Sequence, residues 1–97
     1  MRIISRRTLR EFWDKHPDAR LPLQTWYADV SRSDWKGPQD IKAIYRKASF
    51  LANNRVVFNI KGNRYRLVVL VVYPHRLVYI RFVGTHEEYD WIDAAMI

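Results

Sequence analysis

The 97-residue sequence predicts a small α+β domain, with N-terminal helices packed on one face of an antiparallel β-sheet and a short C-terminal helix. Two patterns carry this prediction. Apolar residues recur at helical spacing in the first half of the chain, and from Arg55 onward they alternate with a period of two. A hydrophobic content of 48% is ample for a packed interior, so we expect one domain over residues 1–97.

The first half is predicted to hold a short strand at residues 2–4 and three helices. The first helix is predicted from Thr8, with Thr8 and Glu11 spaced as a capping box, and it should end before Pro17. The second helix presents an apolar face formed by Leu23, Trp26, Tyr27 and Val30. A third helix is predicted to be capped by Asp40. Its inward face comprises Ile41, Ile44, Tyr45 and Ala48.

The second half is predicted to form antiparallel strands, beginning with a hairpin that turns at Gly62 and Asn63. A two-residue turn there pairs Ile60 with Tyr65, and side chains alternate across each strand. One face then carries Phe58, Ile60, Tyr65 and Leu67. The other face carries Asn59, Lys61, Arg64 and Arg66. A turn at residues 74–76 leads to the next strand, and the apolar run at 67–72 predicts a central strand covered on both faces.

The net charge of +7 is unevenly distributed along the chain. Residues 41–81 carry nine Lys or Arg and no acid, whereas residues 82–97 carry four acids and no Lys or Arg. A one-signed field of this kind attracts polyanions, so a nucleic acid is the expected partner. A basic protein that is merely soluble is the simpler alternative. The sequence has no cysteine, a charged N-terminus and no long apolar run, so we expect a cytoplasmic protein without a membrane partner.

The stretch GTHEEYD at residues 84–90 lies where a strand is predicted to end and a helix to begin. Thr85 and Glu88 fit a capping box, which places His86 and Tyr89 one turn apart near a helix N-terminus suited to a phosphate. RNA can be cut without metal when its 2′-hydroxyl attacks the adjacent phosphate, given an acid, a base and fixed cations. Histidine, tyrosine and arginine suit those tasks, whereas the nearby acids lack metal-ligand spacing, so we expect no metal or other cofactor.

Simpler roles are available for each of these residues. Tyr89 forms an apolar stripe with Ile92 and Met96, so it could serve only to anchor the last helix. His86 could be an ordinary surface residue, and strand arginines are often solvated charges. A catalytic centre and a plain basic docking surface therefore both fit the residue types.

The segments FNIKGN, YRLVV and RFVGTHEEYD, taken together, resemble the HigB toxins of bacterial type II toxin–antitoxin pairs, within the RelE-like group. The resemblance covers residues 56–73 and 78–94 closely and the N-terminal helices more loosely. It implies a RelE-like α+β fold and cleavage of messenger RNA, usually on the translating ribosome. It also implies neutralisation by a HigA-type antitoxin with a helix-turn-helix domain. The competing hypothesis is a non-catalytic RNA- or DNA-binding module or an inactive toxin relative.

The resemblance also implies site residues. Arg66 matches the strand arginine that RelE-like toxins use on the scissile phosphate, and Tyr89 stands at or near the tyrosine proposed to activate the 2′-hydroxyl. His86 stands where RelE has an arginine, a departure that leaves the division of acid and base roles open. The predicted catalytic residues are thus Arg66, His86 and Tyr89. The predicted RNA-binding residues are Lys42, Arg46, Lys47, Asn59, Lys61, Arg64 and Arg81.

Overall fold

The computed structural model describes residues 1–97 and contains five strands and four α-helices. In chain order they are β1 (Arg2–Ile4), α1 (Arg6–Lys15), α2 (Arg20–Ser31), α3 (Pro38–Ile44), β2 (Ser49–Leu51), β3 (Arg55–Ile60), β4 (Tyr65–Val72), β5 (Leu77–Thr85) and α4 (His86–Tyr89). Two 3₁₀ turns, Pro17–Ala19 and Tyr73–His75, precede α2 and β5. The predicted α+β class is confirmed.

The strands form one sheet in the order β1-β5-β4-β3-β2. Strands β3 to β5 are the expected antiparallel meander, β2 adds a further antiparallel strand at the edge, and β4 is the central strand. The first strand lies beside β5 and runs parallel to it, so the complete sheet is mixed. Strand β2 was not predicted, because three residues are too few to display a period of two.

One face of the sheet is covered by the helices. Leu9 and Trp13 of α1 and Leu23, Trp26 and Val30 of α2 belong to a cluster of 17 buried residues. Phe58 lies within this cluster, and the rings around it are Trp26, Trp35 and Tyr45, with centroids 5.0–6.2 Å away. The predicted packing of the helices against one face is confirmed.

The ends of two helices differ from the prediction. Helix α1 begins at Arg6 after Ser5, so Thr8 is inside the helix and does not cap it. Helix α3 begins at Pro38, whose fixed φ and missing N–H suit the first helical position. It ends at Ile44, and Asp40 lies in its first turn, where the carboxylate accepts the Lys36 N–H at 2.8 Å.

The inward face predicted for the third helix is only partly correct. Ile41 is buried, but the Ile44 side chain is 70% exposed because the helix stops there. Tyr45 and Ala48 do pack toward the core from the loop that follows. The basic residues Lys42, Arg46 and Lys47 are exposed, as expected.

The other face of the sheet carries a much smaller buried cluster of Val57, Val68 and Ala94. Partly buried residues pack around it, namely Leu51, Phe82, Tyr89, Ile92 and Ile97. Helix α4 and the segment after it cover only part of this face. No helix in the chain combines the length and the apolar content that a membrane crossing requires.

Candidate active site

Arg66 lies on the open face of the central strand. The predicted hairpin register is confirmed, so Arg66 pairs with Asn59 on β3, and on its other side it pairs with Gly84 on β5. Its guanidinium donates to the main-chain oxygens of Asn63 at 3.0 Å and Tyr65 at 3.4 Å. None of the five ion pairs of the chain includes Arg66. The guanidinium is therefore held by neutral acceptors and keeps its charge available for an anion.

Tyr89 lies directly beside this guanidinium. The Arg66 Cζ atom is 5.9 Å from the centroid of the Tyr89 ring, within cation–π range. The centroid of the Tyr89 ring also lies 6.5 Å from that of Phe82, and the ring packs against the small buried cluster. These contacts with the sheet hold the ring in place. Tyr89 thus anchors α4, as the simpler reading predicts, and also contacts the strand arginine.

Gly84 makes room for this arrangement. A Cβ atom at position 84 would stand 2.5 Å from the Phe82 ring and 3.0 Å from Glu88 Oε1. Glu88 is the capping-box carboxylate, which accepts the Thr85 N–H at 2.8 Å. A side chain at position 84 would therefore push against both the ring under Tyr89 and the cap of its helix.

His86 opens α4, and the predicted capping box between Thr85 and Glu88 is confirmed. The His86 main-chain N–H donates to the Arg64 oxygen at 3.1 Å, and the Glu88 N–H donates to Thr85 Oγ1 at 3.1 Å. Because these two N–H groups have protein partners, the helix start is not the open phosphate cradle that the sequence suggested. The chemistry must come from side chains.

The His86 side chain has a partner that sequence reasoning missed. Its Nδ1 atom lies 3.3 Å from Asp90 Oδ2, one helical turn away. A carboxylate at Nδ1 orients an imidazole and leaves Nε2 free for proton transfer. The i, i+4 spacing of His86 and Asp90 was the available signal.

Arg64 does not share the face of Arg66, so that predicted placement is wrong. Its Nη1 atom lies 3.1 Å from Asp18 Oδ2, on the helix side of the sheet, and Tyr65 Oη donates to the same carboxylate. The hydrogen bond from Tyr65, together with the charges of Arg64 and Lys61, lowers the pKa of Asp18. Lys61 is exposed in the turn between β3 and β4. The Arg64 side chain takes this direction because the hairpin turn has positive φ at Lys61 and Gly62 and not at Asn63.

The remaining predicted RNA-binding residues lie on β3, on β5, and on α3 with the loop after it. Asn59 is the cross-strand neighbour of Arg66. Arg81 is exposed at the register shift of β5, and no hydrogen bond or ion pair joins it to Arg66 or Tyr89. Lys42 donates to the Ala48 oxygen at 2.9 Å. Their role in RNA binding remains a prediction, as it does for Arg46 and Lys47.

The arrangement is suited to phosphate chemistry by side chains. No three His, Asp or Glu residues come close enough together to hold a metal ion. The open face carries the Arg66 guanidinium, which has no acid partner, with the Tyr89 phenol beside it. His86, with Asp90 at its Nδ1 atom, lies one turn before Tyr89 on α4. Fold and site together define a small basic α+β protein with an arginine–tyrosine contact on the open face of its sheet.

Comparison with known proteins agrees with this description. The sequence model described as HigB_toxin, RelE-like toxic component of a toxin–antitoxin system, matches residues 19–92. The chain belongs to that family. The mRNA interferase toxin HigB of Escherichia coli strain K12 is 29% identical over 96 residues, covering 97% of this chain and 92% of the relative.

Two further relatives carry a similar name. The mRNA interferase HigB of Shigella flexneri is similar to the same extent, 29% over 96 residues. The protein of that name from Escherichia coli O6:H1 is 24% identical over 92 residues, covering 93% of this chain and 89% of the relative. Similarity thus extends over nearly the whole length of each protein.

Proposed function

We propose that this protein is the toxin of a type II toxin–antitoxin pair and acts as an endoribonuclease on messenger RNA. Residues 1–97 act as one domain in this proposal. The observation that carries it is the unpaired Arg66 guanidinium 5.9 Å from the Tyr89 ring, beside the helix that begins with His86. Membership of the HigB_toxin family and the similarity to three mRNA interferases support the same activity.

The reaction requires no metal. The 2′-oxygen of one nucleotide bonds to the adjacent phosphorus, and the bond from phosphorus to the 5′-oxygen of the next nucleotide breaks. A base removes the 2′-hydroxyl proton, and an acid protonates the departing 5′-oxygen. The products are a 2′,3′-cyclic phosphate and a free 5′-hydroxyl. Charge builds on the non-bridging oxygens, where a fixed cation is most effective.

Each site residue has a task in this scheme. Arg66 binds the non-bridging oxygens with its planar fork and stays charged at every working pH. Tyr89, beside Arg66, and His86, at the start of the same helix, divide the two proton transfers in this proposal. Asp90 acts as a positioning residue by holding His86 through Nδ1.

The proposed partners follow from the basic surface and the family. We propose that the toxin acts in the cytoplasm on ribosome-bound messages, where ribosomal RNA supplies additional phosphates for exposed cations such as Arg46, Lys47 and Arg81. A HigA-type antitoxin with a helix-turn-helix domain is the proposed neutralising partner. A salt-dependent affinity for ribosomes is the expected sign of the first interaction.

Cleavage of a reporter message on purified ribosomes tests the catalytic assignment. We expect Tyr89→Phe and His86→Ala each to slow cleavage by ~10²–10⁴-fold, the usual share of acid–base assistance. Ribosome binding should be largely retained. The matched controls are Tyr79→Phe on β5 and His75→Ala in the turn before it, which remove the same groups elsewhere. Wild-type rates in both site variants would refute the assignment.

Excess EDTA tests metal independence. We expect the cleavage rate to stay within about twofold of its value without chelator, because the groups proposed here bring their own charge and protons. Ribosome integrity must be verified by sedimentation in the same samples. Loss of cleavage with intact ribosomes would show that a metal takes part.

The rival hypothesis of a non-catalytic binding module makes a different prediction. The same basic residues would bind RNA, but no message would be cut and no growth arrest would follow expression. If purified protein binds ribosomes and leaves the message whole, the open face is a docking surface. The Arg66–Tyr89 contact then serves packing alone.

A further inference from the structure

A cleft lies at the edge of the sheet, between the loop after α3 and the outer edge of β3. Its volume is about 330 Å³, near the lower end of the roughly 300–1,000 Å³ that ligand pockets occupy. Strand β2 pairs only with Arg55 to Val57, so residues 58–60 of β3 have no strand neighbour on this side. Unpaired main-chain donors and acceptors therefore border the cleft.

We propose that this cleft binds one nucleobase of the RNA strand next to the scissile phosphate and thereby sets the base preference of cleavage. The inference rests on the function proposed above. It assigns to the cleft a role in reading sequence, which the phosphate-binding arginine cannot supply, because phosphate contacts position a nucleic acid and base contacts specify it.

The position of Asn59 connects the cleft with the site. Asn59 lines the cleft and is also the direct cross-strand partner of Arg66. Neighbouring strands lie about 4.8 Å apart, so an RNA strand held at Arg66 brings its next nucleotide to the cleft. The side-chain amide of asparagine offers a donor and an acceptor side by side, the pattern that base edges match.

The walls of the cleft suit a flat, partly apolar ring. Ile44 is 70% exposed, and the partly exposed Tyr45 is wedged edge-on against Phe58 with ring centroids 5.0 Å apart. Burial raises the pKa of Tyr45 to about 12, as expected for a ring packed into the wall of the cleft. Single-stranded RNA is recognised in this way, by stacking of an unpaired base and hydrogen bonds to its edge.

Cations at the rim favour RNA over a protein occupant. Arg46 and Lys47 line the cleft and are exposed, and neither forms an ion pair. They can bind the phosphates on either side of the inserted base. An antitoxin segment is the competing occupant, and it would need acidic residues opposite these two positions.

The first test is substrate preference. Short synthetic messages on ribosomes are prepared with each of the four bases, or no base, beside the cleavage site. We expect Asn59→Ala to reduce the ratio of best to worst base by roughly three- to tenfold, the range of one hydrogen bond. The rates of the two proteins should differ less on the abasic message than on the message with the best base. Ile44→Ala, in the cleft wall, should also lower the ratio of best to worst base. Its matched control is Leu21→Ala, at an apolar residue of α2 that is 72% exposed.

The result that overturns the proposal is an unchanged ratio in Asn59→Ala and Ile44→Ala, or an equal loss of rate on all messages. The proposal is also overturned if the antitoxin no longer neutralises the cleft variants while their ratio of best to worst base equals that of wild type. In that case the cleft is an antitoxin contact.

A second test does not depend on catalysis. Messages with 4-thiouridine beside the cleavage site are cross-linked to the Tyr89→Phe protein, and the modified peptide is mapped by mass spectrometry. We expect cross-links within residues 44–48. If wild-type protein cuts the message and no cross-link falls there, the cleft proposal fails and the nuclease proposal stands. If cross-links fall there and no message is cut, the nuclease proposal fails and the cleft remains an RNA site.

Discussion

The two faces of the sheet differ in how completely they are covered. The face under α1 and α2 holds a cluster of 17 buried residues, whereas the face under α4 holds three. Apolar burial contributes roughly 25 cal/mol per Å² removed from water, so most of the stability resides on the helix-covered face. The thinly covered face can then expose charged groups without endangering the fold.

Two arginines and two tyrosines in or near β4 show the same difference between the covered face and the open face. Arg64 is ion-paired with Asp18 on the helix side, while Arg66 has no acid partner on the open side. Tyr65 donates its hydroxyl to Asp18 in the covered layer, while Tyr89 lies beside Arg66. In each pair one member contributes to structure and the other is available for chemistry.

Replacing the two arginines is expected to give the largest contrast. Arg66→Ala should lower kcat/KM for message cleavage by roughly 10²–10³-fold, as for loss of one transition-state donor, with little change in melting temperature. Arg64→Ala should lower cleavage only a few-fold, because its charge is already paired, and should lower the melting temperature. Equal losses of activity in the two variants would contradict the assignment of separate roles.

The two tyrosines offer a smaller contrast in stability. Tyr65→Phe removes the hydroxyl bound by Asp18 and should lower the melting temperature by a few degrees while cleavage stays near wild type. Tyr89→Phe should leave the melting temperature unchanged, because the ring keeps its contacts with Phe82 and Arg66. Thermal unfolding followed by circular dichroism measures both. A destabilised Tyr89→Phe protein would mean that its hydroxyl has a structural task.

The smallest expected effect is on the pH dependence of stability. The hydrogen bond from Tyr65 lowers the pKa of Asp18 in the folded protein, so the carboxylate stabilises the fold above the unfolded-state pKa of about 4. That contribution is lost as the pH falls through the folded-state value. Asp18→Asn should therefore flatten the fall in melting temperature below about pH 4. His16→Gln, in the same layer, is a control that keeps the carboxylate.

Local patterns were sufficient for much of the fold. The alternation of apolar residues and the Gly62–Asn63 dipeptide correctly predicted the pairing of Asn59 with Arg66, because a strand register slips only in whole residues and a slip would bury the wrong face. The capping box at Thr85 was likewise correct. The helix starts were predicted less well. Helix α1 begins after Ser5 and not at Thr8, and α3 begins at Pro38 and not after Asp40.

The direction of individual side chains was beyond those patterns. Alternation predicted that Arg64 shares the face of Arg66. The turn before Arg64 has positive φ at Lys61 and Gly62, and Arg64 instead forms an ion pair with an acid of the helical layer. The β5 register shift leaves Arg81 without a direct partner on β4, so alternation along the strand does not give the direction of its side chain. The cleft at the end of β3 depends on the shape of the surface, which residue spacing does not report.

The sequence alone determined the α+β class, the hairpin register, the basic segment and the residue types of the centre, because each depends on neighbours along the chain. Only the tertiary structure decided that Tyr89 meets Arg66 while Arg64 meets Asp18. The physical reason is that a charged side chain can pair only with a group that folding brings close to it, and that group often belongs to a distant segment of the chain. Asp18 and Arg64 are 46 positions apart in the chain, and only folding places them in contact.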